Sequence, residues 1–163
     1  MTEPNDEKSK QAHRTALAIG SDRLGISLKI AIIEHLDDLG YIVKDFGCAP
    51  GEDTDYPDIA ALVARAVSSG EYERAILICG TGLGMSIAAN KIHGVRAAAV
   101  SDVYSAERAR MSNDAQILCL GALVVGNGLA TALVDRWLQS EFSGGQSARK
   151  VAKLNALDGP ARS

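Results

Sequence analysis

The sequence has few aromatic residues, no excess of positive charge and no long apolar run. Aromatic residues make up 4% of the 163 positions, and 17 Lys and Arg stand against 20 Asp and Glu. Without a basic surface or aromatic stacking platforms, we expect no nucleic acid as a partner. No apolar segment approaches the roughly 20 residues of a membrane-spanning helix, so we expect no membrane as a partner. What remains is an ordinary globular composition, with 47% hydrophobic and 23% charged residues.

Cysteine is sparse as well. Cys48, Cys79 and Cys119 stand far apart, and no Cys-x-x-Cys pair is present. This spacing excludes zinc knuckles and thioredoxin-type motifs, and it predicts no metal site. Unpaired thiols are typical of cytoplasmic proteins. Since the residues before Arg14 also lack the apolar stretch of a signal peptide, we expect the protein to be cytoplasmic.

A single domain is predicted between a leader and a tail. Residues 1–13 are polar and mixed in charge, which predicts a disordered leader. From 14 to 157, short apolar runs alternate with segments of helical periodicity. Residues 158–163 are expected to form a flexible tail.

Strands and helices are predicted to alternate five times. The predicted strands cover 15–20, 41–46, 74–79, 95–100 and 116–120. The predicted helices cover about 26–39, 57–69, 85–91, 104–111, 125–137 and 146–157. This pattern predicts an α/β fold with a single-domain, doubly wound, five-stranded parallel sheet between two helical layers, as in Rossmann-like folds. Ligands of such folds bind outside the carboxyl ends of the strands.

The loop after the third predicted strand carries the most informative pattern, Cys79-Gly-Thr-Gly-Leu-Gly-Met-Ser86. Three glycines at alternate positions let the backbone approach a ligand, and the following helix N-terminus favours negative charge. We therefore expect a site for a phosphate, a carboxylate or an enediolate. A nucleotide-binding module is disfavoured, because the loop has neither the Gly-Lys-Ser/Thr of a Walker loop nor the glycine spacing of a dinucleotide fingerprint.

Cys79 has two interpretations from its position. At the end of a strand and before a helix N-terminus, a thiol ionises more readily than free cysteine, so Cys79 is a candidate nucleophile or general base. The alternative is a buried cysteine that serves as a small hydrophobic side chain. Position alone does not decide between them. Cys48 and Cys119 have no adjacent glycine loop and are interpreted as core residues.

Five stretches, in the same order, resemble the type B ribose-5-phosphate isomerases, whose relatives include galactose-6-phosphate isomerase subunits. They are Gly20-Ser-Asp-Arg-Leu-Gly25, Thr54-Asp-Tyr-Pro57, Ile78-Cys-Gly-Thr-Gly82 with Ile87-Ala-Ala-Asn-Lys91, Gly94-Val-Arg-Ala97, and Tyr104-Ser-Ala106 followed by Asn113. The resemblance covers about residues 15–157. It implies aldose–ketose isomerisation of a sugar phosphate through a cis-enediolate, with no metal or organic cofactor.

The resemblance also implies roles for single residues. Cys79 would be the base that moves a proton between C1 and C2, Thr81 would assist proton transfer at the sugar oxygens, and Asp22 would be the acid at the first strand end. The implied substrate-binding residues are Gly80, Gly82 and Gly84 for the enediolate oxygens, Asn113 for the sugar and Tyr56 for the pocket wall. Members of the family are typically homodimers or dimers of dimers with shared active sites. We therefore expect a homodimer or tetramer in which the C-terminal helix takes part in dimerisation.

Several positions depart from the family pattern. Where many members have histidine, this sequence has Arg23 and Ser112, and Leu123 replaces a phosphate-binding arginine. Two arginines of the family's C-terminal helix are Gln146 and Lys150 here. Ser112 remains a candidate substrate ligand beside Asn113. The candidate phosphate ligands are Arg23 and then Arg149 and Lys150 from a neighbouring subunit.

The change to Ser112 bears on the substrate, because the family's histidine at this position is thought to open the sugar ring. A pentose 5-phosphate closes a furanose ring, whereas a tetrose 4-phosphate has its O4 esterified and cannot. A branch of the family that acts on D-erythrulose 4-phosphate is similar at Tyr104-Ser-Ala-Glu-Arg-Ala109 and at Ser112-Asn113. The hypothesis is a tetrose 4-phosphate, with a pentose 5-phosphate as the alternative. Leu123 leaves a non-phosphorylated sugar open.

A competing hypothesis belongs to a different class of protein. The chain would then be a catalytically silent, sugar-phosphate-binding subunit of a heteromeric isomerase. The joint presence of Cys79, Thr81, Asp22 and the glycine loop favours an active enzyme.

Overall fold

The computed structural model describes residues 16–159. The predicted leader, 1–13, and the end of the predicted tail, from 160, lie outside the described residues. Asp158, where the tail was predicted to begin, accepts a hydrogen bond through Oδ2 from Gly94 N–H at 2.8 Å.

The described chain forms one parallel sheet of five strands. They are β1 (Ala16–Ser21), β2 (Ile42–Asp45), β3 (Arg74–Cys79), β4 (Ala97–Ala99) and β5 (Ile117–Gly121). Their order is β2-β1-β3-β5-β4, and every neighbouring pair is parallel. The central strand β3 is buried along its whole length, as its unbroken apolar run predicts for a strand covered on both faces.

Helices cover both faces of this sheet, which confirms the predicted doubly wound fold. Within residues 16–159 the α-helices are α1 (Ile26–Asp38), α2 (Tyr56–Ser68), α3 (Leu83–Ala89), α4 (Val103–Met111), α5 (Asn127–Leu138) and α6 (Gln146–Leu157). Successive strand side chains point to opposite faces. Leu17 and Ile19 therefore join the apolar core under α1, α4 and α5, whereas Ala18 joins the core under α2 and α3. Among residues 16–159, the structure contains no candidate for a membrane-spanning helix.

Helix α5 differs in detail from its sequence pattern. A spacing of four over Val125, Leu129, Leu133 and Trp137 predicts one packed face. In the structure the helix begins only at Asn127, and Leu129 is 40% exposed, although Leu133 and Trp137 are fully buried. An α-helix has 3.6 residues per turn, so side chains spaced by four are progressively rotated around the helix axis. They therefore do not all lie on one buried face.

Helix α6 has the least contact with the rest of its chain. Val151 is its one buried residue, and Leu154 and Leu157 are 42% and 82% exposed. Its last turn is tied to the amino end of β4, because Asn155 Oδ1 accepts a hydrogen bond from Arg96 Nη1 at 2.8 Å. The helix thus presents apolar surface that its own chain does not cover.

Candidate active site

Cys79 is the last residue of β3, at the carboxyl edge of the sheet. Its Sγ accepts a hydrogen bond from Gly82 N–H at 3.1 Å, which closes the glycine loop back onto the sulfur. Gly82 has a φ of +78°, and a side chain there would come within 3.0 Å of the backbone of Leu120. Glycine is therefore required at this turn. The family resemblance implies that this N–H donates to an enediolate oxygen, whereas in the structure it donates to the sulfur of Cys79.

Thr81 lies exposed at the tip of the loop. Its Oγ1 accepts a hydrogen bond from Leu83 N–H at 3.3 Å. Its main chain packs on Gly121, at the end of β5, so closely that a Cβ on Gly121 would lie 2.6 Å from the Thr81 carbonyl carbon. The loop is thereby held on the neighbouring strand end with the hydroxyl facing outwards.

Asp22 lies beside Cys79 at the same edge. Its backbone N–H donates to Ile78 O at 3.1 Å, which places it one residue from Cys79 across the sheet. Its Oδ1 accepts hydrogen bonds from Leu24 N–H and Gly25 N–H at 2.9 and 3.1 Å. Within the described part of the chain, Oδ2 has no hydrogen bond, so this oxygen remains available to a ligand.

Arg23 points from the same turn to the loop between β2 and α2. Its Nε lies 3.2 Å from Asp53 Oδ1, and the two side chains are 66% and 85% exposed. Ion pairs in such an exposed setting contribute little to stability, because water screens them. The guanidinium can therefore exchange or share its partner with an incoming anion.

Two further walls surround the glycine loop. On one side Tyr56, 41% exposed, lies over Gly84. On the other side, Leu24 Cδ1 and Leu123 Cδ1 approach to 3.1 and 3.5 Å from the point where a Cβ on Gly80 would stand. The wall at Leu123 is apolar, in keeping with the loss of the arginine at this position.

The structure does not bring Ser112 and Asn113 to Cys79 within one chain. Both follow α4, which begins at the carboxyl edge of the sheet and ends at the amino edge. Arg96, immediately before β4, donates from Nε to Asn113 O at 3.1 Å. A strand of five residues, such as β5, separates the two edges by about 13 Å.

Arg149 and Lys150 are not at the loop of Cys79 either. Both lie exposed on α6, whose last turn is anchored at the amino edge through Asn155. Of the predicted site residues, one chain thus gathers those that follow β1 and β3, together with Tyr56. The four polar residues that follow or lie beyond α4 stand apart.

The sulfur of Cys79 is almost fully buried at the carboxyl edge of the sheet. Cys79 is 5% exposed. One cavity of about 120 Å³ lies at the amino edge, lined by Leu17, Tyr41, Glu73, Arg74, Leu138 and Glu141. Around the sulfur, Gly80 and Gly82 are buried as well, whereas Thr81 and Tyr56 are exposed. Among residues 16–159, no cluster of His, Cys, Asp or Glu has the composition of a metal site.

The other two cysteines are core residues, as the sequence indicated. Cys119 lies on β5 next to β3, and its complete burial, with the nearby Cys79 as a smaller cause, raises the pKa of its thiol. It therefore stays protonated. Cys48 is fully buried, and its thiol donates to Glu52 O at 3.2 Å.

Comparisons with known proteins identify the family of this chain. The model of the ribose/galactose isomerase family matches residues 17–154. The chain belongs to this family. The ribose-5-P isomerase B of Listeria innocua is 52% identical over 142 residues, which cover 87% of this chain and 96% of the relative. The D-erythrulose-4-phosphate isomerase of Pectobacterium atrosepticum is 49% identical over 140 residues, which cover 85% and 92%.

A solved member of the ribose/galactose isomerase family has the same fold. The ribose-5-phosphate isomerase B of Clostridium thermocellum has a TM-score of 0.86 and 50% identity to this chain, over 88% of this chain and 97% of that one. The predicted resemblance and the doubly wound fold are both confirmed. The protein is an enzyme, a sugar-phosphate isomerase.

Sequence reasoning missed one residue of this isomerase, Lys29. It is 2% exposed, and its Nζ donates to Asp45 Oδ1 at 2.8 Å and to Cys48 O at 2.7 Å. A signal was present in the sequence, because Lys29 stands three and seven residues before the buried Ile32 and Leu36. This spacing puts its charge on the apolar face of α1.

Proposed function

We propose that this isomerase interconverts an aldose phosphate and a ketose phosphate through a cis-enediolate, with Cys79 as the base. The observation that supports the proposal most is the sulfur at the carboxyl edge of β3, bonded to Gly82 N–H and flanked by Asp22. A positioned base contributes about 10²–10⁴ to the rate of such a proton transfer. The Cys79 thiolate takes the proton from C2 of the aldose or C1 of the ketose and returns it to the other carbon.

The oxygens of the enediolate need partners as well. Thr81 presents its hydroxyl at the loop surface, where it can pass a proton between O1 and O2. The N–H groups of Gly80 and Gly84 are the donors proposed for the negative oxygen, and Asp22 Oδ2 accepts from a sugar hydroxyl. One preorganised donor to such an oxygen is typically worth about 10²–10³ in rate. The proposal uses no metal and no organic cofactor.

We infer that a second copy of the chain completes the site. Cys79 is 5% exposed beside the exposed Thr81, and Ser112, Asn113, Arg149 and Lys150 lie away from it in the same chain. A twofold dimer gives two equal sites, each with residues from both subunits. Leu83 and Ile87 on α3, 59% and 64% exposed, provide an apolar surface beside the glycine loop. Helix α6 is proposed as a second part of the interface, and a dimer of dimers would keep the same sites.

The proposed substrate is a tetrose 4-phosphate such as D-erythrulose 4-phosphate. Ring opening of a pentose phosphate needs an acid–base group, and neither described histidine lies at Cys79 in the same chain. His35 bonds through Nε2 to Asp135 Oδ1 at 2.7 Å, which joins α1 to α5. His93 lies in the loop before β4, where its carbonyl accepts from Ser68 Oγ at 2.7 Å. Arg23 is the proposed ligand of the phosphate, with Arg149 and Lys150 of the second copy.

A panel of sugar phosphates tests this substrate directly. The measurement is kcat/KM for D-erythrulose 4-phosphate, ribose 5-phosphate and the same sugars without phosphate. We expect the four-carbon phosphate to give the highest value. A higher value for ribose 5-phosphate would overturn the tetrose proposal and leave the pentose alternative. Tight binding without turnover of any sugar would instead identify a silent subunit.

The cytoplasm is the proposed location. All three cysteines are unpaired in the structure. Unpaired thiols are typical of proteins in reducing compartments.

A further inference from the structure

A lysine is buried in the apolar face of α1. The Lys29 side chain is 2% exposed, and its ammonium bonds to the Asp45 carboxylate and the Cys48 carbonyl at 2.8 and 2.7 Å. A buried ammonium is costly in free energy unless it is paired and hydrogen-bonded. An apolar side chain would fill the same space without that cost. The role of the Lys29 charge is therefore inferred from the position of its two hydrogen-bond acceptors.

Both acceptors lie near the start of one loop, residues 46–55, between β2 and α2. Asp45 is the last residue of β2, and Cys48 is the third residue of the loop. Asp45 Oδ1 also accepts from Gly47 N–H at 2.8 Å. The main chain of the loop is paired with the end of β1, because Ser21 N–H donates to Gly47 O and Cys48 N–H donates to Ser21 O, both at 2.7 Å. Lys29 thus fixes the loop where it meets the residue before Asp22.

The other end of this loop reaches the candidate active site. Asp53 pairs with Arg23 at 3.2 Å. Tyr56, which follows the loop at the start of α2, lies over Gly84. The loop therefore connects the buried Lys29 with both a proposed phosphate ligand and a proposed pocket wall.

We propose that Lys29 is a positioning residue for substrate binding: its ammonium holds the loop 46–55 so that Tyr56, which follows this loop, stays on Gly84. Lys29 touches no reacting atom. Its hydrogen bonds reach neither β3 nor α3, which carry Cys79 and Gly82. Loss of the charge is therefore expected to weaken binding of the substrate much more than proton transfer. The kinetic part of this inference rests on the proposed function.

The kinetic test compares Lys29→Met with Arg74→Met. Arg74 is a matched control, because it is a buried cation at the opposite edge of the sheet, 5% exposed, that donates to Trp137 O and Leu138 O at 3.2 and 2.9 Å. Lys29→Met is expected to raise KM roughly tenfold with kcat within about threefold, since a displaced binding group changes ground-state affinity. Both variants are expected to lower the Tm, because each removes a buried and hydrogen-bonded cation. Arg74→Met is expected to leave KM unchanged.

A second readout does not need activity. The thiol of Cys48 is fully buried in the loop, so its reaction with a disulfide reagent such as DTNB reports whether the loop stays closed. In a Cys79→Ala background, Lys29→Met is expected to accelerate labelling of Cys48 roughly tenfold, while Arg74→Met does not. If the wild type turns over no sugar phosphate, the proposed function is wrong. The rates of Cys48 labelling then test by themselves whether Lys29 holds the loop.

A milder variant covers the case in which Lys29→Met does not fold. Asp45→Ala removes the same ion pair from its more exposed side, since the Asp45 side chain is 45% exposed. It is expected to raise KM and the Cys48 labelling rate in the same direction. Unchanged Cys48 labelling in the folded variant, an unchanged KM, or an equal rise in Arg74→Met would each overturn the proposal.

Discussion

The ring of Tyr56 lies against Gly84 so closely that a Cβ on Gly84 would stand 2.7 Å from the ring Cε2 and 2.8 Å from Cζ. Tyr56 is the first residue of α2, and Gly84 is the second residue of α3. The contact therefore joins the helix after the β2 loop to the helix after the glycine loop. Only glycine at position 84 allows the ring to stay there.

Gly84→Ala is expected to displace Tyr56 and weaken substrate binding. The added methyl group must push the ring away, because real Cβ atoms do not approach other atoms to 2.7 Å. We expect KM to rise roughly tenfold, since the displaced ring no longer forms the pocket wall. Gly128→Ala in α5 is the matched control, because nothing lies within 4 Å of a Cβ there. Equal KM values for the two variants would contradict the claim that Tyr56 forms a wall of the substrate pocket.

Arg23→Ala is expected to weaken binding of the phosphate without loss of the fold. The side chain is 66% exposed and pairs only at the surface with Asp53. Loss of a hydrogen bond between charged groups is expected to raise KM roughly ten- to a hundredfold, with an unchanged Tm. Arg136→Ala serves as the control, because this arginine forms a similar surface pair with Glu107 at 3.1 Å. An unchanged KM in Arg23→Ala would show that other residues bind the phosphate.

Mixing two inactive variants tests the shared site. Cys79 and Asn113 lie at opposite edges of one sheet, so a site that needs both takes them from different subunits. Cys79→Ala and Asn113→Ala are each expected to lose most activity as pure proteins. In a mixed dimer, one site combines an intact Cys79 with an intact Asn113. After dissociation and reassociation, up to about a quarter of the wild-type activity should return.

The control for this experiment is a mixture that cannot complement. A mixture of Cys79→Ala with a Cys79→Ala, Asn113→Ala double variant contains no intact sulfur and should stay inactive. Recovery in the first mixture alone supports the shared site. No recovery, although both proteins exchange subunits, would place each site within one chain.

The elements of the fold were predictable where the signal is local. The bounds of β3, Arg74–Cys79, match the predicted strand at both ends, because a buried central strand is apolar on both faces and glycine follows it. The edge strand β4 is shorter than predicted, Ala97–Ala99 against 95–100. It pairs with β5 alone, so Val95 and Val100 contribute to the core from outside the ladder.

The sequence predicts which candidate residues lie at strand ends, but not the contacts that they make. Local order along the chain places Cys79 and Asp22 at strand ends, and the structure finds them adjacent. The bond from Gly82 N–H to the sulfur depends on a left-handed turn that the sequence permits without specifying. The contacts of Lys29 join residues 16 and 19 positions apart, which no periodicity in a short window reveals.

The central claim is that the sulfur of Cys79 carries the proton between C1 and C2. Incorporation of solvent deuterium at C1 or C2, followed by NMR on the sugar phosphate, reports this proton transfer. Cys119→Ala is the matched control, because burial keeps the Cys119 thiol protonated through its raised pKa. The account predicts that Cys79→Ala loses at least about a hundredfold in exchange rate while Cys119→Ala keeps the wild-type rate. Exchange at the wild-type rate in a folded Cys79→Ala would contradict it.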